Sequence, residues 1–143
     1  MTSKNVETLR AAHECWNRRE FEGVIRNVTD TITYTDHARN LNINTKSHFK
    51  DWVTAWAQAF PNGKITHPEY IDAGDTVIAQ FTVEGTNDGP LAGLPPTKRH
   101  AKLAFCEICR FDANGRMTRG GCYYDQYSLL TQLGHVEPLA TAA

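Results

Sequence analysis

A chain of 143 residues with a formal net charge of −1 and 15 scattered basic residues lacks the charged footprint that nucleic acid or an anionic membrane requires. Its length fits one domain, which buries roughly 70% of the unfolded surface and needs no disulfide or metal staple. No apolar run follows Met1-Thr2-Ser3-Lys4, and no stretch nears the ~20 residues of a membrane span. The expected location is cytoplasmic, and the expected partner is a small molecule or a second copy of the chain.

Ser3 is the cap of a first helix, in which Val6, Leu9, His13 and Trp16 recur at helical spacing to about residue 18. Phe21, Val24, Ile25 and Val28 form a shorter second helix. Thr31 to His37, rich in Thr, Ile and Tyr, is a strand, and a polar loop begins at Ala38. Thr45 caps a third helix whose apolar stripe is Phe49, Trp52, Val53, Trp56 and Phe60; Pro61-Asn62-Gly63 ends it. The period then changes to two. Strands are expected over 64–72, 75–87, 99–112 and 115–124, with turns at Asp72–Asp75 and Asp112–Gly115 and a long Gly/Pro loop over 88–98. Tyr127, Leu129, Leu130 and Leu133 form a last helix closed by Gly134, and 138–143 is a frayed tail. The order predicts an α+β fold of one domain, 1–143, with helices on the concave face of a curved, mostly antiparallel sheet.

The tetrapeptide Cys106-Glu-Ile-Cys109 lies inside a strand, where residues three apart face opposite sides about 10 Å apart. That separation excludes a disulfide between them, and no second ligand pair completes a zinc site. Cys15, Cys106, Cys109 and Cys122 are therefore read as free thiols. No His-x-His or His-x-x-x-His spacing occurs and no Gly-rich loop opens a helix, so neither metal nor cofactor is expected.

The sequence resembles the SnoaL-like polyketide cyclases, within the wider cone-shaped fold of nuclear transport factor 2 and ketosteroid isomerase. The residues that carry the resemblance run in order from Ala59-Phe60-Pro61 through Gly74-Asp75-Thr76-Val77 and Gly85-Thr86-Asn87-Asp88-Gly89. Gly93-Leu94-Pro95-Pro96-Thr97, Arg110-Phe111 before Gly115-Arg116, and Asp125 with Leu129–Gly134 complete it. The resemblance implies a general acid/base aspartate at Asp125 and a cofactor-free intramolecular aldol closure. It also marks two departures. Asn87 stands where members often carry His, and Gly121 stands where many carry a bulky aromatic, which implies an enlarged pocket.

Asp125 has two uses open to it, N-cap of the last helix or proton transfer if its face, shared with Tyr123 and Gly121, lines a cavity; the resemblance favours the second, with Asp36 or His37 assisting. Asp36 and His37 are adjacent and point to opposite faces, so at most one enters the pocket. Analogy with ketosteroid isomerases favours Asp36, which shares a face with Tyr34; intrinsic acid/base range favours His37. Glu107 sits mid-strand on an apolar face, where a carboxylate is rarely buried without a partner, so it either faces a wet pocket or pairs with a neighbouring strand. His13 on its apolar stripe reads first as a satisfied core histidine. Trp16, Trp52 and Trp56 read as core, with a flat wall against a substrate as their second use.

Two readings follow. One is a cofactor-independent cyclase-like lyase or isomerase on an apolar oxygenated small molecule; dehydration and epoxide hydrolysis are variants on the same scaffold. The other is a non-catalytic binding or dimerisation module. An open cavity holding two ionisable groups within reach of each other separates them. Apolar residues on both strand faces, Ile78 and Ile108 beside Val77 and Phe105, predict a homodimer through the outer face.

Overall fold

The computed structural model describes residues 3–140. Helix α1 spans Lys4–Asn17, and Ser3 caps it by accepting from the Val6 amide. After α2 (Phe21–Ile25) come β1 (Val28–Asp36), β2 (Leu41–Ile43) and α3 (Lys46–Ala59), the last capped by Thr45. Strands β3 (Lys64–Ala73), β4 (Thr76–Thr86), β5 (His100–Phe111) and β6 (Met117–Tyr123) follow, and α4 (Gln126–Leu133) ends the ordered elements. Gly134 terminates α4 at φ 85°, a left-handed turn that a side chain disfavours. Residues 138–140 hold neither helix nor strand, and the rest of the expected tail, 141–143, lies outside the described residues.

The fold is α+β, as the change of period predicts. Six strands form one open sheet in the order β2-β1-β6-β5-β4-β3. The sheet is mixed where an antiparallel one is expected: β1 runs parallel to β6, with Tyr34 opposite Gly120 and Asp36 opposite Cys122. The other pairs are antiparallel. The first strand begins at Val28, three residues before the expected Thr31, although the spacing of Val28 after Phe21, Val24 and Ile25 predicts helix there. The loop after it contains β2, too short to show alternation.

Inward residues of the sheet pack with α1 and α3 into one core around Tyr34, Phe49, Trp56, Val77, Phe105 and Cys109. Trp16 ties the two helices together by donating its ring N–H to the Val53 carbonyl, 2.9 Å away. The four cysteines are free, and Cys106 and Cys109 take opposite strand faces as expected. Among the described residues, no helix is long and apolar enough to cross a membrane.

Candidate active site

The site is built on parity. Along β5, Phe105, Glu107 and Cys109 face inward, and Arg110 is exposed. Glu107 thereby sits, 7% exposed, beneath α1, where His13 falls on the same buried stripe as Val6, Leu9 and Trp16. His13 Nε2 lies 2.8 Å from Glu107 Oε1, and its Nδ1 lies 2.7 Å from the Tyr70 hydroxyl on β3. The Tyr34 hydroxyl on β1 donates to Glu107 Oε2 at 2.5 Å. Helix α1 and strand β1 thus reach one carboxylate directly, and β3 reaches it through His13.

The donor inventory sets a consistent protonation pattern. Burial, reinforced by the Glu107 charge, pushes the Tyr34 hydroxyl well above its usual range, and burial raises Tyr70 as well. Both stay protonated donors. In the tautomer that fits both contacts, the Tyr70 hydroxyl donates to His13 Nδ1 and His13 Nε2–H donates to Glu107, while Tyr34 donates to the other carboxylate oxygen. Glu107 accepts two bonds and keeps further lone-pair sites.

A cavity of about 80 Å³ adjoins the cluster, walled by apolar groups such as Leu9, Trp16, Phe49, Trp56 and Phe105, and also by His13 and Glu107. Trp16 and Trp52 spend their ring N–H groups on Val53 and Asp36. The Trp56 N–H is buried without a partner among the described residues.

Asp36 forms a second buried cluster. It is wholly buried and accepts from Trp52 Nε1 at 3.1 Å, the Tyr124 hydroxyl at 2.9 Å and the Arg39 amide at 3.3 Å. Burial and then the Asp36 charge raise Tyr124, which stays a donor. Asp36, not His37, faces the interior, yet it is not part of the cavity wall. Tyr34 stands outside the wall as well, and reaches the site only through Glu107.

His37, Tyr123 and Asp125 lie outside the cavity. His37 stacks on Tyr123 across the outer face, ring centroids 4.2 Å apart. Gly121 makes room for that stack: a Cβ there meets His37 Nε2 at 3.0 Å, so this glycine opens the outer surface and does not enlarge the pocket. It is Gly120 that faces inward, and it admits the Tyr34 ring, 3.0 Å from where its Cβ would stand. Asn87 is buried away from the cavity and pins the 88–98 loop through Ala59, Gly89 and Thr97.

Asp125 is exposed and accepts from the Ser128 amide at 3.0 Å, the capping use of the two that the sequence allows. Its face, shared with Tyr123, is the outer one. Asp125→Asn is therefore expected to leave both turnover and melting temperature near wild type, and Asp125→Ala to cost about 1 kcal/mol with turnover retained. Loss of turnover in the Asn variant at an unchanged melting temperature would instead make Asp125 a chemical participant.

Sequence reasoning did not join His13 to Glu107, and it passed over Tyr70. Two signals were present: a histidine inside an apolar helical stripe, and a carboxylate on an apolar strand face in need of a partner.

No curated protein sequence matches this chain. Solved structures do match in fold. A protein of Jannaschia sp. CCS1, assigned as a SnoaL-like polyketide cyclase, has a TM-score of 0.84 at 17% identity, covering 97% of this chain and 99% of its own. AclR of Streptomyces galilaeus, assigned as a hydroxylase, has a TM-score of 0.82 at 19% identity, covering 96% and 85%. IdmH of Streptomyces antibioticus, assigned as a polyketide cyclase, has a TM-score of 0.76 at 18% identity, covering 92% and 99%. Identities this low establish shared architecture alone. The sequence model of the SnoaL-like polyketide cyclases, however, matches residues 6–133, from the first turn of α1 to the last residue of α4, and by that match the chain belongs to this family.

Proposed function

We propose that the chain is an acid/base enzyme acting on a small, apolar, oxygenated substrate without a cofactor, by isomerisation or aldol-type cyclisation. The observation that carries this is the buried Glu107–His13 pair, 2.8 Å apart on the wall of an otherwise apolar cavity. It is the arrangement that favours catalysis over a passive binding module. Glu107 takes a proton from the carbon beside a carbonyl, and the electron pair moves onto the carbonyl oxygen as an enolate. The unpartnered Trp56 N–H donates to that oxygen. The proton then returns to another carbon, giving an isomer. Alternatively, it goes to the alkoxide formed when the enolate carbon attacks a second carbonyl of the same molecule. His13 and Tyr34 orient the carboxylate, and the apolar wall keeps out water that would weaken each interaction.

At about 80 Å³ the cavity holds the reacting end of a substrate, since drug-sized ligands occupy ~300–1,000 Å³. Family membership and the match to IdmH support the cyclase side of the reading. Cyclohexanone in D₂O, followed by NMR, tests the first step. Protein-dependent deuterium uptake beside the carbonyl, persisting in excess chelator, is the expected result. Uptake no faster than in buffer alone would count against it.

The proposal includes a homodimer through the outer face of the sheet. There Ile71 pairs with Ile78 and Ile78 with Ile108 in one row across three strands, and Ile71 and Tyr123 are about half exposed. Sedimentation as a dimer at micromolar concentration, shifted to monomer by Ile108→Arg, is expected; a wild-type monomer would remove this part.

A further inference from the structure

The wall of the main cavity consists of buried residues and four partly exposed ones, Ala12, Trp52, Ile65 and Val83. A second chamber of about 60 Å³ lies against it, between α1, α2 and the beginnings of β1 and β6. Leu9, Ala12, Val24 and Met117 line both chambers and form the partition between them. Unlike the first chamber, the second has exposed residues in its wall: Ala11, Arg26 and Asn27. Its wall thus includes solvent-facing residues, as a vestibule's would.

The partition is not uniform in stiffness. Leu9, Ala12 and Val24 are short or branched side chains fixed on helices. Met117 opens β6, and its unbranched thioether has three rotatable bonds. Arg26 is the single charged residue of the vestibule wall, and it makes no ion pair among the described residues. A guanidinium fork matches a carboxylate in two-point hydrogen bonding.

We propose that the chamber between α1 and α2 is the entrance and outer subsite of the cavity. It takes the carboxylate end of an elongated apolar ligand on Arg26, and Met117 swings aside to admit the ligand's body. The inference draws from the proposed function only the statement that the inner cavity binds a ligand. It also reconciles a small inner cavity with a longer substrate, because the inner chamber receives the reacting end and the vestibule the rest.

Decanoate and decanol, titrated calorimetrically into the full chain, test it. Decanoate is expected to bind about tenfold tighter than decanol, and Arg26→Ala to abolish that difference by weakening decanoate alone. Ala11→Trp, at an exposed helix position where folding tolerates bulk, fills the mouth and weakens both probes about tenfold or more. Met117→Ala speeds decanoate association in stopped-flow tryptophan fluorescence, since Trp16 lies in the inner wall. Absence of decanoate binding, equal affinity for the two probes in the wild type, or unchanged binding by Ala11→Trp would each overturn the proposal. Decanoate binding without carbon exchange would remove the catalytic reading and leave this one standing; exchange without Arg26-dependent binding would do the reverse.

Discussion

Glu107→Gln is expected to lower carbon exchange and turnover by about 10²–10⁴-fold, the usual worth of one general acid/base group, while the protein stays folded. The reason is that glutamine can satisfy every neighbour. Its carbonyl oxygen accepts from the Tyr34 hydroxyl in place of Oε2, and its amide turns toward His13. The imidazole then shifts its proton to Nδ1, accepts from the amide through Nε2 and donates to the Tyr70 oxygen. No buried group is orphaned, and only the basic carboxylate is lost. Glu107→Ala provides the contrast. It strands the Tyr34 hydroxyl and a ring nitrogen of His13, so about 1–3 kcal/mol per stranded group is added to the loss of turnover. The checks are deuterium exchange and thermal unfolding on the same preparations. Near-wild-type exchange by the Gln variant would remove Glu107 from the reaction.

The largest loss of stability is expected at Asp36. Asp36→Ala leaves the Trp52 N–H and the Tyr124 O–H, both on partly buried side chains, without the fully buried acceptor they share. At about 1–3 kcal/mol for each stranded donor, the variant loses on the order of 2–6 kcal/mol, a large part of a typical domain's total. Asp36→Asn separates shape from charge. Both donors aim at Oδ2, so an amide oxygen placed there keeps them; what is lost is the long bond from the Arg39 amide to Oδ1 at 3.3 Å and the charge attraction of the Arg39 guanidinium, 3.9 Å from Oδ2. Urea midpoints should therefore rank wild type and Asn close together and Ala far below. An Ala variant as stable as the wild type would show that the cluster contributes nothing to folding.

The helices and the four long strands were legible because their periods are clean: Phe49 to Phe60 at helical spacing, and β4 alternating Val77, Ala79 and Phe81 inward. Strand β2 was not, since three residues hold no period. The parallel pairing of β1 with β6 was not legible either, because both partners look alike whichever neighbour they take. The site divided along the same line. Alternation places Glu107 on an apolar face and helical spacing places His13 on another, but their meeting depends on α1 crossing β5, which is a property of the whole sheet. Asp125 shows the converse: alternation places it on the face of Tyr123, but which way that face turns depends on the whole sheet, and it turns outward, where Tyr123 stacks on His37.

The pairing of β1 with β6 also has a consequence for biosynthesis. β1 emerges early, yet of its two neighbours one is the three-residue β2 and the other begins only at Met117. Until Met117–Tyr123 leaves the ribosome, one side of β1 has no hydrogen-bonding partner, and the closure that joins the two strands spans most of the chain. A nascent chain halted just short of β6 would present β1, and the facing flank of β5, as two unsatisfied strand edges open to pairing with any extended segment nearby. For this protein the hazardous interval of synthesis falls late, and it ends with the strand that carries Gly120 into place beside Tyr34.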